Sequence, residues 1–434
     1  MNTLSRRSFL TATAGAVFVP DLWGDDPPAR RPKVAAIYTV FRHRSHAQNI
    51  LENFLQPYLF NGKVVDPGVD IVSFFADQRA PEADRTDEVA RQFKIRVHKT
   101  IRDALTLGGK ALACDAVLLI GEHGEYPVNK LGQIEYPRKR FFDEIVAVVR
   151  ESKRPVPIFN DKHLSYRWDW AKEMYDTAGN LRIPLMAGTS VALGQRLPAT
   201  ELPDKAVFED IVSIHGGPPE IYDFHAFEVL QSLIEGRKGG ESGISSIEFL
   251  KGDAMWKAAD AGRWSESLAK AAMSAELGDK VGSLRERVGK EPDAEPHVLL
   301  IAYKDGLKAT ILKVGRNSNR WNVAMKLKGE DKPRAMRIFN GPWGNRNLFM
   351  ALSHAIQSFF RTGDAPYPVE RTLLASGVVD AVMRSAADGK PIATPHLEFR
   401  YEAKDFKAFR ETGESWKIVE KRMEDKHLHT LGRK

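Results

Sequence analysis

Three polar stretches of this chain carry side chains that move protons or hold anions: Arg42-His43-Arg44-Ser45-His46, Glu122-His123-Gly124-Glu125-Tyr126 and Asn160-Asp161-Lys162-His163. In a fourth, Asp223-Phe224-His225-Ala226-Phe227-Glu228, His225 and Glu228 stand three apart and share one face of a helix. Imidazole titrates near neutrality, so His225 can take and return a proton. A lysine crowded by other cations titrates low and can act as a base, which puts Lys162 beside His225 as a candidate catalytic residue. The competing readings are a salt bridge from Lys162 to Asp161 or a neighbour, and a plain surface pair for His225 and Glu228. Glu228, His123, Glu122, Tyr126, Asp161 and His163 are candidate substrate contacts. The forks of Arg42 and Arg44 match a phosphate or carboxylate, or else are solvated charges on a surface turn.

Glu122, His123, Glu125, Asp161 and His163 also have the composition of a zinc or manganese site, to which His43 and His46 would add. No dense HExxH-type spacing supports it, so a metal is not expected. The single cysteine, Cys114, excludes an intramolecular disulfide and sits in an apolar run as a buried thiol.

The elements that must position these groups follow from hydrophobic periodicity. Lys33–Val40, Asp70–Phe75, Asp115–Ile120, Val156–Phe159 and Ile183–Ala187 read as buried strands. Helical spacing lies between them, over Ala47–Leu59, Asp87–Phe93, Ile101–Leu107, Phe141–Val149 and Trp168–Tyr175. This alternation predicts a Rossmann-like parallel sheet, and ligands bind beyond the carboxyl ends of such strands. The first three polar stretches fall there. After residue 190 the pattern changes: Pro198, Pro203, Pro218 and Pro219 mark a boundary and irregular connections. A helix, Ala226–Ile234, then precedes strand-like segments at Ile244–Phe249, His297–Tyr303, Leu307–Val314, Trp321–Lys326 and Ala335–Asn340, and helices at Leu348–Phe360 and Val369–Arg384. The expected fold is α/β: residues 31–192 form the Rossmann-like domain and residues 193–400 an α+β domain with a largely antiparallel open sheet. Residues 401–434 read as a charged surface helix or tail.

The 434 residues include 8 Trp, 10 Tyr and 22 Phe, enough for sizeable cores and against a disordered or coiled-coil chain. The net charge of +7 is mild for this length, and no basic run or motif argues for nucleic acid. Ser5-Arg6-Arg7-Ser8-Phe9-Leu10 before the short apolar run Thr11–Val19 resembles a twin-arginine export signal, with residues 1–30 as signal and linker. That resemblance implies the export machinery as a partner and a periplasmic or other extracytoplasmic location. The apolar run is too short to span a bilayer, and no stable membrane span is expected in the mature chain.

The plan of a dinucleotide-type domain followed by a helix-backed sheet resembles the Gfo/Idh/MocA oxidoreductase family. Residues 87–119 resemble its helix, short strand, helix and third strand, and residues 152–178 its fourth strand and following helix, with Asp161-Lys162-His163 where the family writes Glu-Lys-Pro. Asp223 to Glu228 resembles its H-x-x-D helix with Glu for Asp, and Pro368 to Pro395 its C-terminal helix and trailing strand. The resemblance implies a carbohydrate or polyol substrate, a nicotinamide cofactor (NAD or NADP) held near Arg42, His43, Arg44, Ser45 and Asp77, and Lys162 against a substrate hydroxyl. One feature departs from it: the turn after the first strand, Phe41 to His46, has no glycine, and Asp77 arrives some 35 residues downstream instead of about 20. That turn argues against the usual mode of dinucleotide binding.

Two kinds of activity fit: hydride transfer with NAD(P), or non-redox proton abstraction by His225 and Lys162. A non-catalytic sugar- or anion-binding protein and a metal-dependent hydrolase or lyase are the alternatives. An open sheet face in the second domain favours a homodimer.

Overall fold

Unbroken runs of branched and aromatic residues, whose side chains alternate across a strand, give strands buried on both faces. The computed structural model describes residues 30–80, 82–290 and 295–422. The first part of the chain runs β1 (Lys33–Tyr38), α1 (His46–Leu55), β2 (Tyr58–Phe60), β3 (Lys63–Val65), β4 (Asp70–Ala76), α2 (Thr86–Gln92) and β5 (Arg96–His98). It continues α3 (Ile101–Thr106), β6 (Ala116–Ile120), α4 (Arg138–Ser152), β7 (Ile158–Asp161), α5 (Trp168–Asn180) and β8 (Leu185–Gly188). Strands β5-β4-β1-β6-β7-β8 pair in that order, all parallel, and β2 and β3 form a separate hairpin. Strand order therefore reverses between β1 and β6, the place where open parallel sheets take ligands.

Along β1, Ala35 and Ile37 face one layer with Val117, Leu119, Phe141, Ile145 and Met174. Val34, Ala36 and Tyr38 face the other, with Ile50, Phe54, Phe74 and Leu118. That second layer also contains Phe349, Leu352, Ile356 and Phe359 of a late helix, and Phe406 and Trp416 from the segment read as a surface tail. Phe406 and Trp416 are buried there, while residues 402–405 and Lys407 beside them stay exposed; the rest of the tail, and the Arg6-Arg7 signal, lie outside the described residues.

The remaining elements are β9 (Gln195–Leu197), β10 (Phe208–His215), α6 (Ile221–Ile234), β11 (Ile244–Lys251), α7 (Asp253–Asp260), α8 (Glu266–Leu277) and α9 (Leu284–Lys290). After them come β12 (His297–Tyr303), β13 (Lys308–Lys313), β14 (Trp321–Leu327), β15 (Arg334–Phe339), α10 (Asn345–Thr362), α11 (Val369–Asp388), β16 (Ile392–Ala393) and α12 (Glu414–Arg422). They build a sheet of order β16-β11-β12-β13-β10-β14-β15-β9, antiparallel except for the β10–β13 pair. Helices α6 and α11 cover one face, where Phe224, Phe227, Leu374 and Val378 meet Ile211, Ile247 and Val323. Helices α7–α9 cover the other, where Met255, Trp264, Leu268 and Met273 meet Val212, Ile214 and Leu312. The chain's own helices thus cover both faces of this sheet, which is not the open face that the sequence pattern suggests. Strand β10 lies inside the proline-marked stretch read as irregular. No helix among the described residues is long and apolar enough to cross a membrane.

Candidate functional site

The carboxyl ends of β1, β6, β7 and β8 bring the polar stretches together. Glu122, just past β6, accepts from Lys162 Nζ at 2.8 Å through Oε1 and from the Arg138 guanidinium through Oε2. All three are buried. Arg138 also donates to the Asp161 carbonyl at 3.3 Å and lies 3.2 Å from His163 Nε2. Burial would raise the Glu122 carboxyl, but Lys162 and Arg138 together hold it well below the usual range. Lys162 is therefore in an ion pair with Glu122, not with Asp161. Glycine at 121 is required for this crossing: a Cβ there would stand 2.7 Å from Arg138 Cγ.

Asp161 instead holds His46, the first residue of α1, with Oδ2 and Nδ1 2.6 Å apart. The carboxylate fixes the ring hydrogen on Nδ1 and leaves the Nε2 lone pair for a ligand, the arrangement of an oriented general base. His225, on α6, touches Thr189 Oγ1 through Nδ1 at 2.5 Å. Thr189 Oγ1 also accepts from Val191 N–H at 3.0 Å; in the tautomer where its hydroxyl donates to Nδ1, the His225 ring hydrogen stands on Nε2. Burial first, then the charge of Lys162, holds His225 well below its ordinary value, so it is neutral at pH 7. Burial and Arg138 do the same to His163, and burial brings His123 to about 3.

Glu228 sits one turn beyond His225 and accepts from Thr189 N–H at 2.6 Å and the Thr372 hydroxyl at 2.5 Å. Burial pushes it up to about 7 against the lowering effect of the Thr372 hydrogen bond. Gly188, at φ +133°, makes room for this contact: a Cβ would stand 2.9 Å from Thr372 Oγ1 and 3.0 Å from Glu228 Oε2. Lys162, His123, Arg44 and Glu220 all adopt positive φ between 56° and 71°, so strained backbone gathers at this site.

The structure thus joins Glu122, His123, Asp161, Lys162, His163 and His225 around His46, with Glu228 behind Thr189. Arg42 and His43 are exposed, Arg44 Nη1 donates to the Trp343 carbonyl at 3.1 Å, and Ser45 Oγ accepts from Gln48 N–H at 3.3 Å as the cap of α1. Asp77 takes the Tyr126 hydroxyl at 2.8 Å and Arg140 at 2.5 Å, away from the cluster. Sequence reading missed Arg138, which arrives from a helix start, and underrated His46, whose partner is 115 residues away. It also missed Glu220, a buried residue whose carboxyl burial pushes up to about 7 against Arg138; its only signal was its place at a helix N-terminus.

A nicotinamide cofactor needs an open, glycine-lined turn at the start of α1. Here Phe41 is buried against Tyr38 and Phe74, and His46 N–H faces His123 Nδ1 at 3.4 Å. The Phe349 ring lies 4.7 Å from the His46 ring, and the Trp343 carbonyl holds the Arg44 side chain. These residues do not fit a pyrophosphate in the usual place. Among the described residues, one set stands within mutual metal-ligand distance: His215, Asp223 and His297. Both Nε2 atoms lie 2.9 Å from Asp223 Oδ1, and Gly217 N–H donates to His215 Nδ1 at 3.3 Å, which puts the His215 hydrogen on Nε2 toward the carboxylate. The set is a hydrogen-bonded hub that clamps α6 to β10 and β12.

No family model matches the sequence, and no curated protein matches it. Solved structures do match in fold. An oxidoreductase from Agrobacterium radiobacter in complex with NAD+, L-tartaric acid and magnesium is 13% identical with a TM-score of 0.53, over 85% of this chain and 100% of that one. Scyllo-inositol dehydrogenase from Lactobacillus casei is 10% identical with a TM-score of 0.52, over 84% and 98%. Myo-inositol 2-dehydrogenase from Lactobacillus plantarum is 10% identical with a TM-score of 0.51, over 84% and 99%. This chain has the fold of Gfo/Idh/MocA-type dehydrogenases.

Proposed function

We propose that this protein is an exported, non-redox acid–base enzyme that acts on a carbohydrate or polyol derivative at the Lys162 cluster. The observation that carries this reading is the Asp161–His46 pair beside two hydrogen-bond donors, Lys162 and His225, at a strand end whose dinucleotide turn is closed. Without a nicotinamide to oxidise a carbinol, the substrate must bring its own carbonyl or carboxylate, as a keto sugar or a sugar acid does. His46 Nε2 takes the proton from the carbon beside that group. The electron pair left behind moves onto the oxygen, where the Lys162 ammonium and His225 Nε2–H hold the developing charge. Return of the proton to the other face gives an epimer, and loss of a β-oxygen substituent gives an unsaturated product.

The test is solvent exchange. In D2O, proton NMR of a panel of keto sugars and sugar acids is expected to show deuterium entering beside the carbonyl, with no change in absorbance near 340 nm on adding NAD or NADP. Stoichiometric, substrate-dependent reduction of NAD(P) would overturn this reading in favour of hydride transfer. Export rests on the Arg6-Arg7 segment. Replacing both arginines by lysine is expected to retain the protein in the cytoplasmic fraction, and unchanged extracytoplasmic delivery argues against the signal.

A further inference from the structure

The long segment after β6, residues 121–137, builds one wall of a second feature. With α4 and α5 it encloses an open cleft of about 600 Å³, within the span of roughly 300–1,000 Å³ usual for small-ligand sites. Its walls are aromatic: Tyr126 and Tyr136 meet edge to face at 5.7 Å, as do Tyr166 and Trp170 at 5.4 Å. The Arg138 guanidinium that binds Glu122 lies 5.0 Å over the Tyr136 ring. Tyr136 therefore stands between the cleft and the proton-handling cluster. Burial beside Glu122 pushes its hydroxyl up to about 12, so the ring stays neutral.

The cations on the rim are neutralised within the protein. Arg140 pairs with Asp77 and Glu144, and Lys139 with Asp143 and Glu173. An anionic ligand would have to break one of those pairs. A neutral ligand with many hydroxyls would not, because carboxylate and guanidinium edges still accept from and donate to it. Flat aromatic surfaces beside paired polar edges match a pyranose ring, whose C–H face is apolar and whose rim is hydroxylated. Aromatic walls beside Glu135, Asp143 and Glu144 also suit a quaternary ammonium, which is therefore the competing ligand in the test below.

We infer that this cleft is a glycosyl subsite: it holds a neutral sugar ring of an oligosaccharide or glycoside whose reacting unit lies at the Lys162 cluster. The inference rests on the carbohydrate reading above and makes the substrate a linked sugar, not a free monosaccharide or polyol.

The full-length protein can be titrated with gluco-, xylo-, manno- and galacto-oligosaccharides of one to four units by calorimetry and tryptophan fluorescence, with choline as the cationic probe. One series is expected to bind at least tenfold more tightly as a trimer than as a monomer. Trp170→Ala should remove that length dependence and Trp170→Phe should keep most of it while losing the fluorescence change. The Phe variant keeps the measurement decisive if the Ala variant does not fold. Equal affinity for monomer and trimer in every series overturns the subsite, as does choline binding that Trp170→Ala abolishes. Proton exchange measured on the wild-type protein reports on the acid–base reading separately: length-dependent binding without exchange keeps the subsite and removes that reading.

Discussion

His46 and Asp161 show how a single hydrogen bond assigns a role: a carboxylate 2.6 Å from Nδ1 decides which ring nitrogen keeps its lone pair. Asp161→Asn preserves the shape but allows the amide to favour the other tautomer. Proton exchange is expected to fall by about 10²–10⁴-fold, with the fold intact by circular dichroism. Glu228 offers a second expectation, about stability. Its carboxyl has an ordinary value of 4.5 and burial raises it to about 7 in the folded chain. Below pH 4.5 both states hold the proton and its contribution is fully present; between 4.5 and 7 only the unfolded chain releases it, so stability falls as pH rises. The loss is on the order of 3 kcal/mol by pH 8. In Glu228→Gln the amide can donate to Thr372 Oγ1, whose hydroxyl still reaches the Ala187 carbonyl at 3.0 Å, while the amide oxygen takes Thr189 N–H. Thermal denaturation is therefore expected to show the variant gaining on the wild type from pH 5 to 8. Parallel curves would contradict the buried neutral acid.

Helices α1 and α10 are joined by a buried ion pair, Arg346 Nε and Nη2 to Glu52 Oε1 and Oε2 at 2.7 and 2.6 Å. Removing one partner leaves a buried charge, so Glu52→Ala is expected to lose about 3–5 kcal/mol in urea unfolding. Glu52→Leu with Arg346→Met should recover most of it, because the pair itself is worth little more than good apolar packing. At this scale the sequence was legible where one property dominated. The strands of the first sheet are buried on both faces, so runs such as AVLLI at β6 stand out. Strand β10 did not: Glu209 and Asp210 open it, and prolines flank it, although Ile211, Val212 and Ile214 are fully buried. Helix α8 carried a readable signal, Ser265 as cap with Leu268, Ala269, Ala272 and Met273 inward, but its small alanines give a weak apolar stripe. The first helix was read past its end because Tyr58 and Leu59 fit helical spacing, while the chain turns at Gln56 into the β2–β3 hairpin. The site was legible in its loops, because polar runs at strand ends are visible in one dimension. The His46–Asp161 and Arg138–Glu122 pairings were not, because they depend on which loops fold toward each other.

Across the whole molecule the two sheets are bound by chain that leaves one and returns to the other. The described residues from Pro32 to Arg422 form one compact unit, with α10 and Phe406 in the core of the first sheet and α11 against both. Calorimetry is expected to give a single cooperative transition; two resolved transitions would mean that the sheets have separable cores. The return of α10 also matters during synthesis. Ile50, Phe54 and Phe74 gain their covering rings only once residues 349–360 have left the ribosome. Translation halted before that point leaves a nearly complete parallel sheet with one oily side bare, a natural target for chaperones and proteases.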